Sequence, residues 1–363
     1  AMIDINFWKN KKVLITGHTG FKGAWLTLWL LSYGCQVYGY SLAPKGEPNL
    51  FTLIQSNLGK NFHHFIGNIL DTESLNKYCK QISPDIVFHL AAQPLVLQSY
   101  IDPVETWQTN VIGSINLLES LKNSEAKSSV VMITTDKVYE NNEWIYGYRE
   151  NDKLGGYDPY SASKAAAEIA IASWRNSFCG NNNFQTQLLS IATARAGNVI
   201  GGGDWSKDRI IPDCIRSLTK KEQILLRNPN AKRPWQHVIE PLSGYIMLAE
   251  KLYSNSQFYS EAFNFGPNIE SNKTVKELSA SIISHWPSEI RYSSFKNKPH
   301  EANLLHLNYE KAYQLLNWKP LWSFSKTIET TISWYRKFHE KNVNAFDLCN
   351  KNIEDYLTDL GNL

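Results

Sequence analysis

Short apolar and β-branched runs alternate with longer stretches of helical periodicity through the first half of the chain. The short runs predict strands at Lys12–Thr16, Gln36–Ser41, Phe62–Asn68, Asp85–Ala91, Ser129–Thr135 and Gln187–Ala192. The longer stretches predict helices at Gly20–Tyr33, Thr72–Gln81, Pro103–Lys122 and Pro159–Phe178. Because strands that alternate with helices build a parallel sheet covered on both faces, the pattern predicts a Rossmann-like, doubly wound α/β fold.

The regular alternation lapses from about Gly201 onward. The later pattern predicts a strand near Ile224–Arg227 and helices near Ile210–Leu218, Val275–His285, Tyr309–Leu316 and Thr327–Phe338. We expect residues 1–200 to form the main α/β domain, with later strands returning to it around residues 235–268. Residues 201–363 are expected to form mainly a smaller, mixed α/β lobe.

Composition narrows the choice of partners. The 363 residues are 43% hydrophobic and carry a net charge of +3 from 37 basic and 34 acidic residues that are scattered along the chain, so no nucleic-acid partner is expected. The most apolar run, Ala24–Leu31, is too short to span a bilayer, and the N-terminus carries charges where a signal peptide needs an apolar core. Five widely spaced cysteines without a C-x-x-C pair argue against disulfides or a metal site and favour the cytoplasm.

A glycine motif follows the first predicted strand and opens the first predicted helix. Gly17 permits the tight turn, Gly20 allows the backbone to approach a pyrophosphate, and Gly23 allows close packing of helix on sheet. The helix N-terminus offers free N–H groups to the phosphates. The segment therefore predicts a dinucleotide site that includes the intervening residues His18, Thr19, Phe21 and Lys22.

Further cofactor contacts are expected where later strands end, since a doubly wound sheet binds ligands at that edge. The candidates are Ser41, Asn68, Ile69, Leu90, Ala91, Ala92, Gln93 and Thr134. A carboxylate usually ends the second strand and selects NAD over NADP, but this chain has no acidic residue there before Glu47. These residues alone therefore do not decide between NAD and NADP. Ser41 could bind a ribose hydroxyl of NAD, and Lys45 could bind the 2′-phosphate of NADP.

Two segments carry candidate chemistry. Tyr160 and Lys164 stand four residues apart at the start of a predicted helix, so their side chains share one face. A lysine in that place can lower the pKa of the tyrosine and make it a base for a sugar hydroxyl. The segment TTDKVYE adds an acid, Asp136, and an amine, Lys137, near the end of the fifth predicted strand.

These motifs together resemble extended short-chain dehydrogenase/reductases that act on nucleotide sugars. The similarity continues in the second half through RAGNV at 195–199, RPWQHV at 233–238 and NFG at 264–266. Within that family, GHTGFKG, TTDKVYEN, PYSASK and RAGNVIGGGDW are most similar to the CDP-glucose 4,6-dehydratases of bacterial dideoxysugar and O-antigen (lipopolysaccharide) pathways. The resemblance implies tightly held NAD that is regenerated in each turnover, a CDP-glucose substrate, and a homodimer or higher homo-oligomer.

One position departs from the family pattern. Other nucleotide-sugar dehydratases carry Thr-Asp-Glu, in which the acid protonates the C6 hydroxyl and the glutamate removes the C5 proton, whereas this chain has Thr135, Asp136 and Lys137. We expect Tyr160 to take the O4 proton, Thr135 to bind O4, Lys164 to hold the cofactor ribose, and Asp136 to act as the C6 acid. Lys137 can be the C5 base only if it is neutral and if the strand has ended at Asp136. Glu140 or a water molecule is the alternative.

Substrate contacts are expected from the second half of the chain. Guanidinium groups bind phosphates bidentately, which nominates Arg209 and Arg233, with Asn198 and His300 as further contacts. An ordinary surface role is the alternative for Arg233. Two other functions use the same cofactor motif: a nucleotide-sugar 4-epimerase, which needs no acid at C6, and a non-catalytic dinucleotide-binding redox sensor.

Overall fold

A computed structural model describes residues 3–124, 126–180, 185–207, 209–293 and 304–361. Its strands are β1 (Lys12–Thr16), β2 (Gln36–Ser41), β3 (Phe62–Ile66), β4 (Ile86–His89), β5 (Ser128–Ile133), β6 (Leu189–Ala196), β7 (Val199–Ile200), β8 (Ile224–Arg227), β9 (Lys232–Pro234), β10 (Gln236–His237), β11 (Ala262–Phe265), β12 (Asn272–Thr274) and β13 (Ile290–Ser293). Its α-helices are α1 (Ile5–Trp8), α2 (Phe21–Ser32), α3 (Leu50–Ile54), α4 (Thr72–Ile82), α5 (Val96–Ile101), α6 (Pro103–Trp107), α7 (Gly113–Lys122), α8 (Pro159–Phe178), α9 (Ile210–Lys220), α10 (Ile239–Ser254), α11 (Ser256–Tyr259), α12 (Val275–His285), α13 (Glu310–Leu316), α14 (Phe324–Lys341) and α15 (Ala345–Gly361).

Within the described part of the chain, seven parallel strands form the central sheet in the order β11-β6-β5-β4-β1-β2-β3. Thr16 at the end of β1 is level with Tyr40 of β2 and His89 of β4. The strand order reverses at β1, so a crevice opens beyond the carboxyl ends of β1 and β4. The predicted doubly wound α/β fold is confirmed.

Apolar side chains cover both faces of this sheet. One cluster packs α2 and α10 with the C-terminal helices and includes Trp25, Trp29 and Leu248. The other packs α4, α7 and α8 and includes Leu117 and Ile171. Strand β5 is buried along its whole length because helices cover both faces of the sheet. Strands in such a position appear in the sequence as continuous apolar runs.

Several predicted bounds differ in a way that matters for the site. The strand expected to reach Thr135 ends at Ile133, and a 3₁₀-helix at Asp136–Val138 begins after Thr135. The helix expected over Pro103–Lys122 contains a π-helical turn at Gln108–Ile112 between α6 and α7. The pattern missed α10 and α15, both of which pack on the core.

Short strand pairs lie outside the central sheet: β13 with β8, β12 with β9, and β10 with β7. Strand β11, by contrast, extends the central sheet beside β6. The division of the chain near residue 200 stays a prediction. Among the helices of the described segments, we find none with the length and apolar character needed to span a membrane.

Candidate active site

The glycine segment after β1 forms a cradle that side chains would fill. Gly17 has a φ of +78°, and a Cβ there would lie 2.7 Å from the Ala91 nitrogen. A Cβ on Gly23 would lie 2.2 Å from the Gly17 oxygen. Helix α2 begins after Gly20 without a side-chain cap, so its first N–H groups face the crevice. These observations fit a dinucleotide pyrophosphate.

Polar side chains next to the cradle are buried and paired. The hydroxyls of Thr19 and Ser41 lie 2.7 Å apart, and Tyr40 donates to the Asn68 carbonyl at 3.1 Å. Nε2 of His18 lies 2.7 Å from Nδ1 of His64. Burial, and then the charge of His64, lower the pKa of His18 to about 3, so this imidazole is neutral at physiological pH.

The loop after β4 is tied to the helix that carries Tyr160. The Gln93 N–H donates to Asn110 Oδ1 at 2.9 Å, and Asn110 Nδ2 donates to Ser163 Oγ at 2.9 Å. Ser163 in turn donates to the Tyr160 carbonyl at 2.7 Å. Asn110 lies in the π-helical turn, and sequence reasoning missed it because nothing in the helical pattern marks that turn.

Helix α8 positions Tyr160 and Lys164 on one face, as predicted. Asp158 caps the helix by accepting from the Ser161 N–H at 2.9 Å. Burial lowers the pKa of Lys164 to about 8, against the opposing charge of Glu168. In the protein chain itself, burial outweighs the opposing effect of the Thr135 side chain and raises the pKa of Tyr160 to about 12, opposite to the lowering expected from Lys164. The residue is a phenol at neutral pH.

The Thr-Asp-Lys segment lies beside this phenol. Thr135 donates to Asp136 Oδ1 at 3.0 Å, and the Thr135 side chain acts to lower the pKa of the neighbouring Tyr160. The Asp136 side chain is buried, with Oδ2 held so closely that a Cβ on Gly197 would lie 2.7 Å from it. Lys137 Nζ lies 3.6 Å from Asp136 Oδ1 and 3.5 Å from Asn198 Oδ1. Because β5 has ended, both Asp136 and Lys137 can face the crevice.

A buried ion pair between Arg195 and Glu168 stabilises the region next to these residues. Arg195 makes two hydrogen bonds to the Glu168 carboxylate, at 2.9 and 2.8 Å. Glu168 also accepts from the hydroxyls of Thr134 at 2.6 Å and Thr193 at 3.0 Å, so the Thr134 hydroxyl is engaged with the core. Sequence reasoning missed Glu168, although its position four residues after Lys164 places it on the same helix face.

Cationic side chains dominate the crevice. Burial, followed by the charges of Arg209, Lys164 and Lys137 and against the charge of Asp136, lowers the pKa of Lys22 to about 7. Lys22 Nζ donates to the Tyr245 hydroxyl at 3.5 Å. Tyr245 lies on α10 and was not predicted. A crevice with this charge suits a ligand that carries diphosphate groups.

Some of the predicted substrate contacts lie in the crevice and others do not. Asn198 and Arg209 belong to the crevice, and Arg209 also pairs with Asp204 at 3.1 Å. Arg233 lies on β9 and donates to the Lys232 carbonyl at 2.8 Å. Glu140 forms an ion pair with Lys153. His300 lies outside the described residues.

The fold and this arrangement define a dinucleotide-binding α/β protein with a Tyr-Lys pair and an acidic side chain in one crevice. The family model described as GDP-mannose 4,6 dehydratase matches residues 14–331. The chain therefore belongs to the GDP-mannose 4,6-dehydratase family.

Relatives and solved structures agree with that placement. The chain is 45% identical to the CDP-glucose 4,6-dehydratase of Salmonella typhimurium, over 98% of this chain and 99% of that protein. It is 26% identical to the CDP-paratose 2-epimerase of Salmonella typhi, over 89% and 98%. A dTDP-glucose 4,6-dehydratase from Bacillus anthracis in complex with NAD superimposes with a TM-score of 0.76 at 23% identity, over 91% and 98%. The UDP-glucose 4-epimerase of Thermotoga maritima with UDP-glucose gives 0.75 at 22%, over 90% and 99%. At these sequence identities, the structural similarity supports the fold assignment alone.

Proposed function

We propose that this protein is an NAD-dependent CDP-glucose 4,6-dehydratase, a hydro-lyase that converts CDP-D-glucose to CDP-4-dehydro-6-deoxy-D-glucose and water. The observation that carries this proposal is a buried carboxyl, Asp136, which accepts a hydrogen bond from Thr135 and lies near enough to Tyr160 for its charge to act on the phenol. Oxidation at C4 needs only the Tyr-Lys pair. An acid beside that pair adds the capacity to expel the C6 oxygen. The 45% identity to a CDP-glucose 4,6-dehydratase supports this substrate.

The roles of the residues follow from their positions. When bound, NAD would accept hydride from C4 and return it at C6. Tyr160 takes the O4 proton, Thr135 orients the hydroxyl, and Lys164 holds the nicotinamide ribose. The 4-ketone makes the C5 proton acidic, a base removes it, and Asp136 protonates the departing C6 oxygen. Asn198 and Arg209 are placed to bind the nucleotide sugar.

Lys137 is the C5 base in this proposal. In its neutral form Lys137 can act as a base, and its Nζ lies 3.6 Å from Asp136 Oδ1, so the base and the acid for the elimination are neighbours. Glu140 is less suited because it is paired with Lys153. In Lys137→Ala, entry of solvent deuterium at C5 should be lost, while reduction of NAD by the substrate continues. Undiminished exchange at C5 would assign the base to another group.

The activity is tested with purified protein, NAD and four substrates side by side: CDP-, dTDP-, GDP- and UDP-glucose. The proposal expects CDP-glucose to yield a product that is lighter by one water molecule and absorbs strongly in alkali, as 4-keto sugars do. A product of unchanged mass would identify a 4-epimerase. Binding of NAD without turnover of any of the four sugars would identify a non-catalytic sensor.

The preference for NAD is proposed to come from the paired hydroxyls of Ser41 and Thr19. They lie 2.7 Å apart and are buried beside the glycine cradle, where they suit an unsubstituted ribose. Calorimetric titration should give tighter binding of NAD than of NADP. Equal binding of the two would overturn this assignment.

Self-association is proposed to use the exposed apolar face of α5, α6 and the π-helical turn. Ile101 is 77% exposed, Val104 64% and Trp107 41%, which is unusual for apolar side chains on one continuous surface. A second copy of the chain would cover them in a homodimer or a higher homo-oligomer. Light scattering should detect a dimer or larger species, and Trp107→Glu should shift it towards monomer. A monomeric native protein would contradict the proposal.

A cytoplasmic location and a role in dideoxysugar synthesis for lipopolysaccharide O-antigen complete the proposal. All five cysteines are free, which fits a reducing compartment. A relative that is a CDP-paratose 2-epimerase supports the pathway. In a bacterial strain that lacks its own CDP-glucose dehydratase, expression of this protein should restore dideoxyhexose in the lipopolysaccharide. A restored cytosolic activity without that sugar would separate the enzyme from the pathway.

A further inference from the structure

One lysine of the glycine cradle lacks an acidic partner. Lys22 stands between Gly20 and Gly23 in the first turn of α2, and this turn contains no acidic residue. The side chain is half-buried, and its Nζ donates to the hydroxyl of Tyr245 at 3.5 Å. Tyr245 is itself buried in α10, and burial raises its pKa, so at physiological pH it offers a neutral oxygen and no negative charge. Within the described segments of the chain, no carboxylate forms an ion pair with Lys22, so its ammonium has no counter-charge in direct contact there.

The surroundings disfavour the charged form of Lys22 in the protein chain itself. Burial is the largest cause, followed by the charge of Arg209, and the pKa of Lys22 is lowered to about 7. Lys164 and Lys137 act in the same direction, and Asp136 opposes them. Lys137 is the smallest of these causes, so the lowering does not depend on whether that lysine is charged. The positive end of the α2 dipole adds to the effect, since a helix N-terminus favours anions over cations.

A diphosphate at the same helix end would reverse this balance. Side chains of a helix lean towards its N-terminus, so the methylene chain of Lys22 extends towards the free N–H groups of the cradle. Those N–H groups are where a dinucleotide diphosphate binds in this fold. An anion beside a lysine favours the ammonium form, and a charged hydrogen bond to phosphate is stronger than one to a neutral hydroxyl. Lys22 thus has the position to bind the diphosphate and the environment to change its protonation when it does.

We propose that the Lys22 ammonium is a ligand of the cofactor diphosphate, and that binding of NAD therefore draws a proton from solvent onto this side chain. This inference rests on the proposed function, in which NAD is the cofactor. Above a pH of about 7, Lys22 of the protein chain itself is mostly an uncharged amine, which must take up a proton to pair with a phosphate. Binding is therefore strongest where the lysine is already protonated. The affinity for NAD should fall as pH rises above about 7, because each binding event then has to take a scarcer proton from solvent.

Calorimetric titration of NAD into the protein, in buffers that differ in their heat of ionisation, counts the protons taken up on binding. Through Lys22 the native protein should take up about 0.9 of a proton at pH 8 and about 0.1 at pH 6, as a group with a pKa of about 7 does when its ligand holds it fully protonated. Between pH 8 and 9 the affinity for NAD should fall about tenfold. Neither measurement requires turnover.

Three variants isolate the share of Lys22. Lys22→Met keeps an unbranched side chain without the charge, so it should lose this uptake and bind NAD about tenfold more weakly at pH 6. Lys22→Arg stays charged at every pH, so it should also lack the uptake while binding NAD more tightly than the methionine variant at pH 9. Lys60→Met removes an exposed lysine before β3 and should take up protons as the native protein does. Any protons that Lys164 binds are common to all four proteins and cancel in the comparison.

A lysine that only packs against Tyr245 gives a different result: Lys22→Met would then weaken NAD binding equally at every pH and take up as many protons as the native protein, which would overturn the proposal. Uptake that depends on Lys22 only when CDP-glucose is titrated, without NAD, would place the lysine at the diphosphate of the sugar nucleotide and overturn the assignment to the cofactor. If NAD binds without this uptake and CDP-glucose is still dehydrated, the inference is wrong and the dehydratase stands. If the native protein neither binds NAD nor dehydrates any of the four sugars, the proposed function itself is wrong.

Discussion

A buried glutamate at the start of α10 should make the stability of this protein depend on pH. Glu240 lies on α10, is 1% exposed, and accepts three hydrogen bonds: from the N–H groups of Leu321 at 2.9 Å and Trp322 at 2.5 Å, and from the Tyr356 hydroxyl at 2.9 Å. These bonds join α10 to the segment before α14 and to α15. Burial raises the pKa of Glu240 from 4.5 to about 7, because the hydrogen bonds only partly replace water around the carboxylate.

The sign of the effect follows from proton binding. Between pH 4.5 and 7 the folded state holds a proton on Glu240 that the unfolded state has released, so the free energy of unfolding falls as pH rises through this window. A pKa difference of this size corresponds to about 3 kcal/mol. The full loss is reached above pH 7, and the full stability is present below pH 4.5.

Glu240→Gln removes the ionisation and keeps the hydrogen bonds. Its oxygen can accept from both backbone N–H groups, and its amide can donate to Tyr356, whose own proton can turn to the Ser243 hydroxyl 3.0 Å away. At pH 8 the variant should be more stable than the native protein by about 3 kcal/mol, and at pH 4.5 the two should be equal.

Urea unfolding followed by tryptophan fluorescence at pH 4.5, 6 and 8 measures the difference, and comparison of the two proteins cancels the titration of other groups. Glu240→Ala is the control, because it removes the acceptors and should be destabilised at all three pH values. A native protein and a glutamine variant whose difference in stability does not change with pH would refute the reasoning.

Three other substitutions test the site and its support. Gly23→Ala places a Cβ 2.2 Å from the Gly17 oxygen and should weaken NAD binding by about tenfold or more in calorimetry, while circular dichroism stays native. Asn110→Ala removes the bonds between the β4 loop and α8 and should lower kcat about tenfold, with a smaller change in KM. Arg195→Leu leaves Glu168 buried without its cation and should lower the free energy of unfolding by about 3 kcal/mol, measured by urea unfolding; an unchanged midpoint would mean that the pair contributes nothing.

The sequence predicted local features of the site wherever the spacing of residues along the chain fixes their geometry. The four-residue gap between Tyr160 and Lys164 places them on one face of any α-helix, and α8 has the bounds that the pattern predicts. The glycines after β1 indicate a close approach of backbones, which Gly17 and Gly23 both make. Alternation of strands and helices likewise predicts the parallel sheet, because each parallel pair needs a crossover.

Other features depend on contacts between residues distant in the chain. Asn110 hydrogen-bonds with Ser163 from within a π-helical turn, and no periodicity predicts that turn. The helices α10 and α15 were missed because they are defined by the core they cover.

The sequence by itself determined the fold class, the dinucleotide cradle and the Tyr-Lys face, since each follows from local backbone geometry and the period of apolar residues. Only the tertiary structure decided the pKa of Tyr160 and which side chains lie beside it. Burial raises the pKa of Tyr160, and Lys137 lies beside Asp136 because β5 ends at Ile133, two residues before Thr135. A pKa depends on solvent and charge in three dimensions, and neither is encoded in the spacing of residues along a chain.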